Sequence, residues 1–199
     1  MPVGTLPPPH GLQLKYVLLG VGTQNYTCTS GDENDAPGTV GATARLYDIG
    51  ISLRDDPLAE WTISLVSSLA YCLDFRHEQL DPILDGFQGF RNLAGHHFFD
   101  GETPVFALDQ LSQAPYPTAR VRKLAEADAP ASSCPGRRTE EDIEWLLLKD
   151  SGLSSGGIDT VYRVETAGGN KPQTCEGQKT GFEVDYVAQY WMFGPSESG

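Results

Sequence analysis

The chain has 199 residues, enough for one domain that buries roughly 70% of the surface its unfolded form exposes, so a core can form without a metal staple. Lysine and arginine number 14 against 27 aspartates and glutamates, a net charge of −13. No basic run offsets that field, so nucleic-acid and anionic-membrane partners are not expected, and no stretch approaches the roughly 18 apolar residues of a membrane helix.

Residues 1–11, with Pro7-Pro8-Pro9, read as an extended, solvated arm, because proline cannot donate to a ladder and biases its predecessor away from helix. The start lacks the basic and apolar regions of a secretory signal, which is expected to have been removed. A single β-rich domain is expected over 12–199. Residues 12–16 alternate and 17–21 are apolar, the pattern of a strand entering the core, with Gly20 and Gly22 ending or bulging it. Further strands are expected at 39–47, 96–99, 103–108, 157–166 and 182–193, separated by turns such as Asp100-Gly101 and Gly168-Gly169. Residues 57–75, with Trp61, Ile63, Leu65, Val66, Leu69 and Leu73, are spaced for a helix, although their serines and threonine leave a strand possible. Residues 125–138 read as a surface loop tethered by Cys134. Thr139-Glu140-Glu141-Asp142 resembles an N-cap and acidic first turn leading into a strand through Trp145 to Leu148. The expected fold is all-β, a barrel or sandwich with one or two short helical insertions around a small-molecule pocket.

Cys28, Cys72, Cys134 and Cys175 form no C-x-x-C pair, which weakens zinc and thioredoxin-like readings. Two disulfides are the natural alternative, with three pairings open; four reduced thiols are the other reading. Asn25-Tyr26-Thr27 is a glycosylation sequon beside Cys28 and, with the disulfides, points to secretion.

Leu18-Leu19-Gly20-Val21-Gly22-Thr23-Gln24-Asn25 begins like a dinucleotide fingerprint, but Asn25 stands where the third glycine belongs, and no helix-forming segment follows. G-x-S-x-G and H-E-x-x-H are missing from the sequence, so ordinary hydrolase templates fail. His96-His97 with Asp100 suggests a metal triad, yet adjacent strand residues face opposite sides, so only one histidine can face a given pocket and no metal site is expected. His77 has no second histidine at ligand spacing. In Val161 to Thr166, alternation puts Arg163 and Glu165 on one face. An interior arginine needs a carboxylate or a bound ligand; a solvent-facing pair with Glu165 is the simpler possibility. Residues 183–193 carry aromatics on both faces, from which Tyr190 or Trp191 could line a cavity or form core.

Gly22-Thr23-Gln24-Asn25-Tyr26-Thr27-Cys28, Gly41-Ala42-Thr43-Ala44-Arg45-Leu46-Tyr47-Asp48, Gly95-His96-His97-Phe98-Phe99, Val161-Tyr162-Arg163-Val164-Glu165-Thr166-Ala167-Gly168-Gly169, Thr174-Cys175-Glu176 and Tyr186-Val187-Ala188-Gln189-Tyr190-Trp191 occur in this order. Together they resemble a large family of secreted fungal proteins, with bacterial relatives, known as a domain of unknown function. Some members carry a malate dehydrogenase label, which the broken nucleotide fingerprint argues against. The segment 55–88 looks longer and more helical than the family pattern. The family is similar in turn to the fungal hetero-Diels-Alderases of tropolone sesquiterpenoid (meroterpenoid) biosynthesis. That resemblance implies an intermolecular cycloaddition between a tropolone o-quinone methide and a humulene-type alkene, with no redox cofactor and with small apolar molecules as partners. Such a reaction needs two partners held in near-attack geometry and a polarised heterodiene carbonyl. His97 and Arg163 are then the expected catalytic pair, hydrogen-bonding the tropolone oxygens and assisting loss of water. Tyr26, Trp145, Tyr190 and Trp191 would stack on the partners, with Gln24 and Thr166 as secondary donors. A non-catalytic secreted module binding a carbohydrate or apolar metabolite has the same sequence signals, and the sequence leaves the oligomeric state open.

Overall fold

A computed structural model describes residues 1–2, 4–55, 57–72, 93–130 and 141–196. Eight antiparallel strands follow one another round a closed barrel: β1 (Gln13–Thr27), β2 (Gly38–Asp48), β3 (Leu93–Asp100), β4 (Thr103–Ala107), β5 (Thr118–Ala127), β6 (Trp145–Asp150), β7 (Thr160–Gly168) and β8 (Gly181–Gly194), with β8 closing on β1. Closure removes the free edges that an open sheet would leave. Two helices, α1 (Gly50–Asp55) and α2 (Ala59–Cys72), lie between β2 and β3.

The alternation of each strand sorts apolar side chains into two cores. Leu18, Leu46, Phe106, Val121, Val161 and Met192 belong to the one inside the barrel. Val17, Leu19, Val21, Val187 and Trp191 belong to the other, outside the wall, where Ile63, Val66, Ala70 and Tyr71 of α2 pack on them. These helical positions are spaced i, i+3, i+7, i+8, the stripe that faces one partner. On the opposite side of α2, Leu65 and Leu69 are exposed. The leading arm is not free in solvent. Leu6 and Leu12 pack on the outer core, Pro7 accepts a hydrogen bond from the Tyr162 hydroxyl at 2.6 Å, and Gly4 lies against the ring of Trp145.

Four further sequence expectations change. Gly20 and Gly22 do not end a strand: β1 runs through both, because Tyr190 of β8 crosses over Gly20, where an added Cβ would stand 2.4 Å from the ring. Residues 125–127, expected in a loop, complete β5, a strand absent from the sequence reading. Residues 141–144 form no helical turn; Asp142 pairs with Gly169 in an isolated antiparallel bridge. In β7 the register to β8 shifts between Val164 and Ala167, where Glu165 adopts a positive φ of 47°. This bulge separates Arg163 from Glu165. Arg163 pairs with the inward Tyr190, whereas Glu165 accepts a hydrogen bond from Ser64 of α2 on the outside.

Cys28 and Cys175 form a disulfide that ties the chain after β1 to the chain before β8. Cys72 ends α2. Cys134, His77, Thr139, Glu140 and residues 73–75 and 131–138 lie outside the described residues.

Candidate functional site

The interior differs between its two ends. Toward the end bearing the β4–β5 and β6–β7 connections it is apolar, with Leu108, Leu148, Val161 and Met192. Toward the other end, where β1 turns into β2, inward positions carry Gln24, Tyr26, His97, Arg163, Thr166, Tyr186 and Tyr190.

His97 faces inward and His96 outward, where His96 Nδ1 lies 3.1 Å from Asp109. The tight β3–β4 hairpin pairs Asp100 with Thr103 and so sets His97 opposite Phe106. Their rings stack at 4.1 Å with an 8° interplanar angle, and Tyr190 meets Phe106 edge-on at 4.9 Å. His97 Nδ1 lies 2.8 Å from the Val105 carbonyl, which assigns the proton to Nδ1 and leaves the Nε2 lone pair as an acceptor. Burial is the main cause that brings the imidazole pKa down to about 4, with the Val105 bond opposing it and Arg163 adding to it. His97 is therefore neutral at neutral pH and can accept a hydrogen bond through Nε2.

The hydroxyls of Tyr186 and Tyr190 lie 2.8 Å apart, on side chains buried to 1% exposure. Burial raises both phenols, so they stay protonated, and whichever donates leaves the other a proton to offer a third group. Arg163 lowers the pKa of both, as it does those of His97 and Tyr26, so one cation influences all four rings. Its side chain is 11% exposed. Nε and Nη2 donate to the Glu144 carbonyl at 3.1 and 2.9 Å, and the Glu144 carboxylate stands 3.8 Å away. Gln24 is 6% exposed, and its Nε2 has no hydrogen-bond partner among the described residues. An unsatisfied buried donor of this kind costs about 1–3 kcal/mol.

The remaining expected site residues divide. Tyr26 and Thr166 face the interior, but both hydroxyls already hold backbone: Tyr26 donates to Gly169 at 2.7 Å and Thr166 to Ile143 at 2.7 Å. Burial raises the Tyr26 phenol to about 12, outweighing Arg163. Trp145 and Trp191 are not with them. Trp145 is in the outer core beneath the arm, and Trp191 is in the outer core with its Nε1 donating to Gln189 at 3.2 Å. Strand parity decides this for Trp191, which neighbours the inward Tyr190. Asn25 also points outward, half-buried, and its Oδ1 accepts from Thr23. Sequence reasoning passed over Tyr186 and Phe106. Tyr186 was within reach, since positions 186 and 190 share a strand face, and a two-residue turn after Asp100 would have set Phe106 opposite His97.

A family model described as "Protein of unknown function (DUF3455)" matches residues 8–194. The chain belongs to the DUF3455 family. No curated protein and no solved structure matches this DUF3455 chain. The match spans the whole barrel, from the arm through β8, and so includes every interior residue named above. No helix among its described residues is long and apolar enough to cross a membrane.

Proposed function

We propose that this DUF3455 protein is a secreted, cofactor-independent hetero-Diels-Alderase that joins a tropolone o-quinone methide to a humulene-type sesquiterpene. The observation that carries the reading is the composition of the polar end of the barrel. There the stacked rings of His97 and Phe106 and the hydroxyl-linked Tyr186 and Tyr190 share the interior with a nearly buried guanidinium and a Gln24 Nε2 that has no partner among the described residues. Pericyclic chemistry asks for that combination: flat apolar walls align the two reactants, and fixed donors lower the energy of the heterodiene by polarising its carbonyl. Arg163, Gln24 and the free proton of the Tyr186–Tyr190 pair are the donors. His97 offers its Nε2 lone pair to a hydroxyl of the precursor. Loss of water from a hydroxymethyl tropolone breaks its C–O bond; the ring hydroxyl surrenders a proton and the departing hydroxyl gains one, leaving water and the neutral heterodiene. Trp145 and Trp191 have no part in this arrangement, and Tyr26 and Thr166 hold the backbone around it. The Cys28–Cys175 disulfide and the sequon at Asn25 support secretion.

The test is product formation by the purified protein from a quinone-methide precursor and humulenol, read by chiral chromatography. One regio- and stereoisomer above the uncatalysed mixture is expected, with selectivity lost in His97→Ala and Arg163→Gln. Binding without acceleration would make the protein a non-catalytic binding module, and unchanged turnover in both variants would remove the site assignment.

A further inference from the structure

We infer that the polar end of the barrel binds its ligand as a planar conjugated oxyanion, of the enolate, phenolate or tropolonate class, with the charge on Arg163 and Gln24. The inference rests on the reading of this interior as a ligand site and specifies the ionisation state that it selects.

Two observations point the same way. Arg163 faces inward, nearly nine-tenths buried, yet its closest partner is a neutral backbone carbonyl. Among the described residues the one carboxylate within 4 Å is that of Glu144, at 3.8 Å and 52% exposed to water. A cation taken out of water is costly unless an equally buried anion faces it, and a half-solvated carboxylate at that separation is a weak counter-charge. The second observation is Gln24, a buried amide donor on another strand with no acceptor for Nε2. An oxyanion entering this end would satisfy both, through charge-assisted hydrogen bonds that are roughly twice as strong as neutral ones. The stacked His97 and Phe106 rings, with Tyr190 at their edge, favour a flat ligand whose charge is spread over a conjugated system.

The titratable and charged groups facing Arg163 are Tyr26 on β1, His97 on β3, Glu144 before β6, and Tyr186 and Tyr190 on β8. The three phenols and the imidazole are uncharged near neutrality, so the guanidinium is the cation that this group offers a ligand.

Tropolone and its O-methyl ether are the probes, since they share a ring and differ in the ability to ionise. In mildly acidic buffer, where free tropolone is largely protonated, tropolone bound to the full-length protein should show the absorption band of tropolonate. It should bind at least about tenfold more tightly than the ether, a difference of about 1.4 kcal/mol. Arg163→Gln should abolish the band shift and the preference. Gln24→Leu, which leaves the Arg163–Glu144 contacts in place, should weaken tropolone binding several-fold and spare the ether. Equal affinity for the two probes, bound tropolone that stays protonated, no binding of either, or unchanged tropolone affinity in Gln24→Leu would each overturn the inference; the last keeps it testable should Arg163→Gln fail to fold. Cycloaddition is a separate readout. Anion preference without product would defeat the catalytic reading alone, and product without anion preference would defeat this inference alone.

Discussion

The neutral state of His97 can be tested through its effect on stability. The folded protein holds this imidazole at a pKa of about 4, against an ordinary value of 6.5 in the unfolded chain. Above 6.5 both states are deprotonated and the group contributes nothing to pH dependence. As pH falls from 6.5 toward 4, the unfolded chain takes up a proton that the folded chain refuses, so stability is lost across that window and the loss levels off below it. At about 1.4 kcal/mol per pH unit, the interval amounts to about 3 kcal/mol. Other groups titrate nearby. Burial raises Asp142 to about 6, which works in the opposite direction, the folded state gaining as pH falls through the range between 6 and 3.8. The comparison must therefore be a difference between two chains that share those groups. In His97→Gln the side chain can still donate toward the Val105 carbonyl but cannot titrate. Urea denaturation of both proteins at a series of pH values should show the stability difference between wild type and variant shifting by about 3 kcal/mol toward the variant on acidification from 6.5 to 4. A difference that stays constant, or an imidazole resonance of His97 that titrates near 6.5, would refute the burial argument and with it the role of His97 as a neutral acceptor.

Packing and covalent constraint give two further outcomes. The Cys28–Cys175 bridge closes a loop with a sequence separation of 147, so chain entropy alone gives it about 5 kcal/mol. The double variant Cys28→Ser/Cys175→Ser should lose several kcal/mol in guanidinium denaturation, and a loss below about 1 kcal/mol would show that the reduced chain is held at this end by other contacts. Gly20→Ala places a methyl 2.4 Å from the Tyr190 ring, which should displace that ring, break its hydroxyl contact with Tyr186 and cost about 1–3 kcal/mol by thermal denaturation. Tyr190→Leu should make the added methyl nearly neutral; an undiminished penalty there would place the clash elsewhere.

The β class and most strands were legible because alternating burial leaves an alternating pattern. β5 was hidden for a specific reason. In Thr118–Ala127 the inward positions Ala119 and Val121 are small, while Arg120, Arg122, Lys123 and Glu126 give the segment a polar character. Gly20 misled because a glycine that admits a ring from the next strand looks, in sequence, like one that breaks a strand. The choice of one histidine from His96-His97 was sound, since strand parity allows one inward side chain, but which one depended on registers that pair His97 with inward Ala44 and Phe106. The two tryptophans show the limit of residue type as a guide. Large rings suit either side of a barrel wall when a helix or arm covers the outside, and the arm and α2 provide that cover for Trp145 and Trp191.

The bulge in β7 is the local event on which the site depends. Without it, uniform alternation would keep Arg163 and Glu165 on the same side, and the two would neutralise each other inside the barrel. One extra residue between Val164 and Ala167 reverses the parity of the rest of the strand, at the cost of a non-glycine residue at φ 47°. Glu165 then leaves the interior for Ser64 on α2, and Thr166 takes the inward position, where its hydroxyl holds the Ile143 carbonyl. The same distortion thus removes the nearest acid from Arg163, anchors the helix on the outer wall and fastens the segment before β6 whose Glu144 carbonyl receives the guanidinium. With regular pleat this sequence would turn Glu165 inward, away from Ser64, and Thr166 outward, away from the Ile143 carbonyl. The bulge thus leaves Arg163 facing inward with the Glu144 backbone carbonyl as its closest partner.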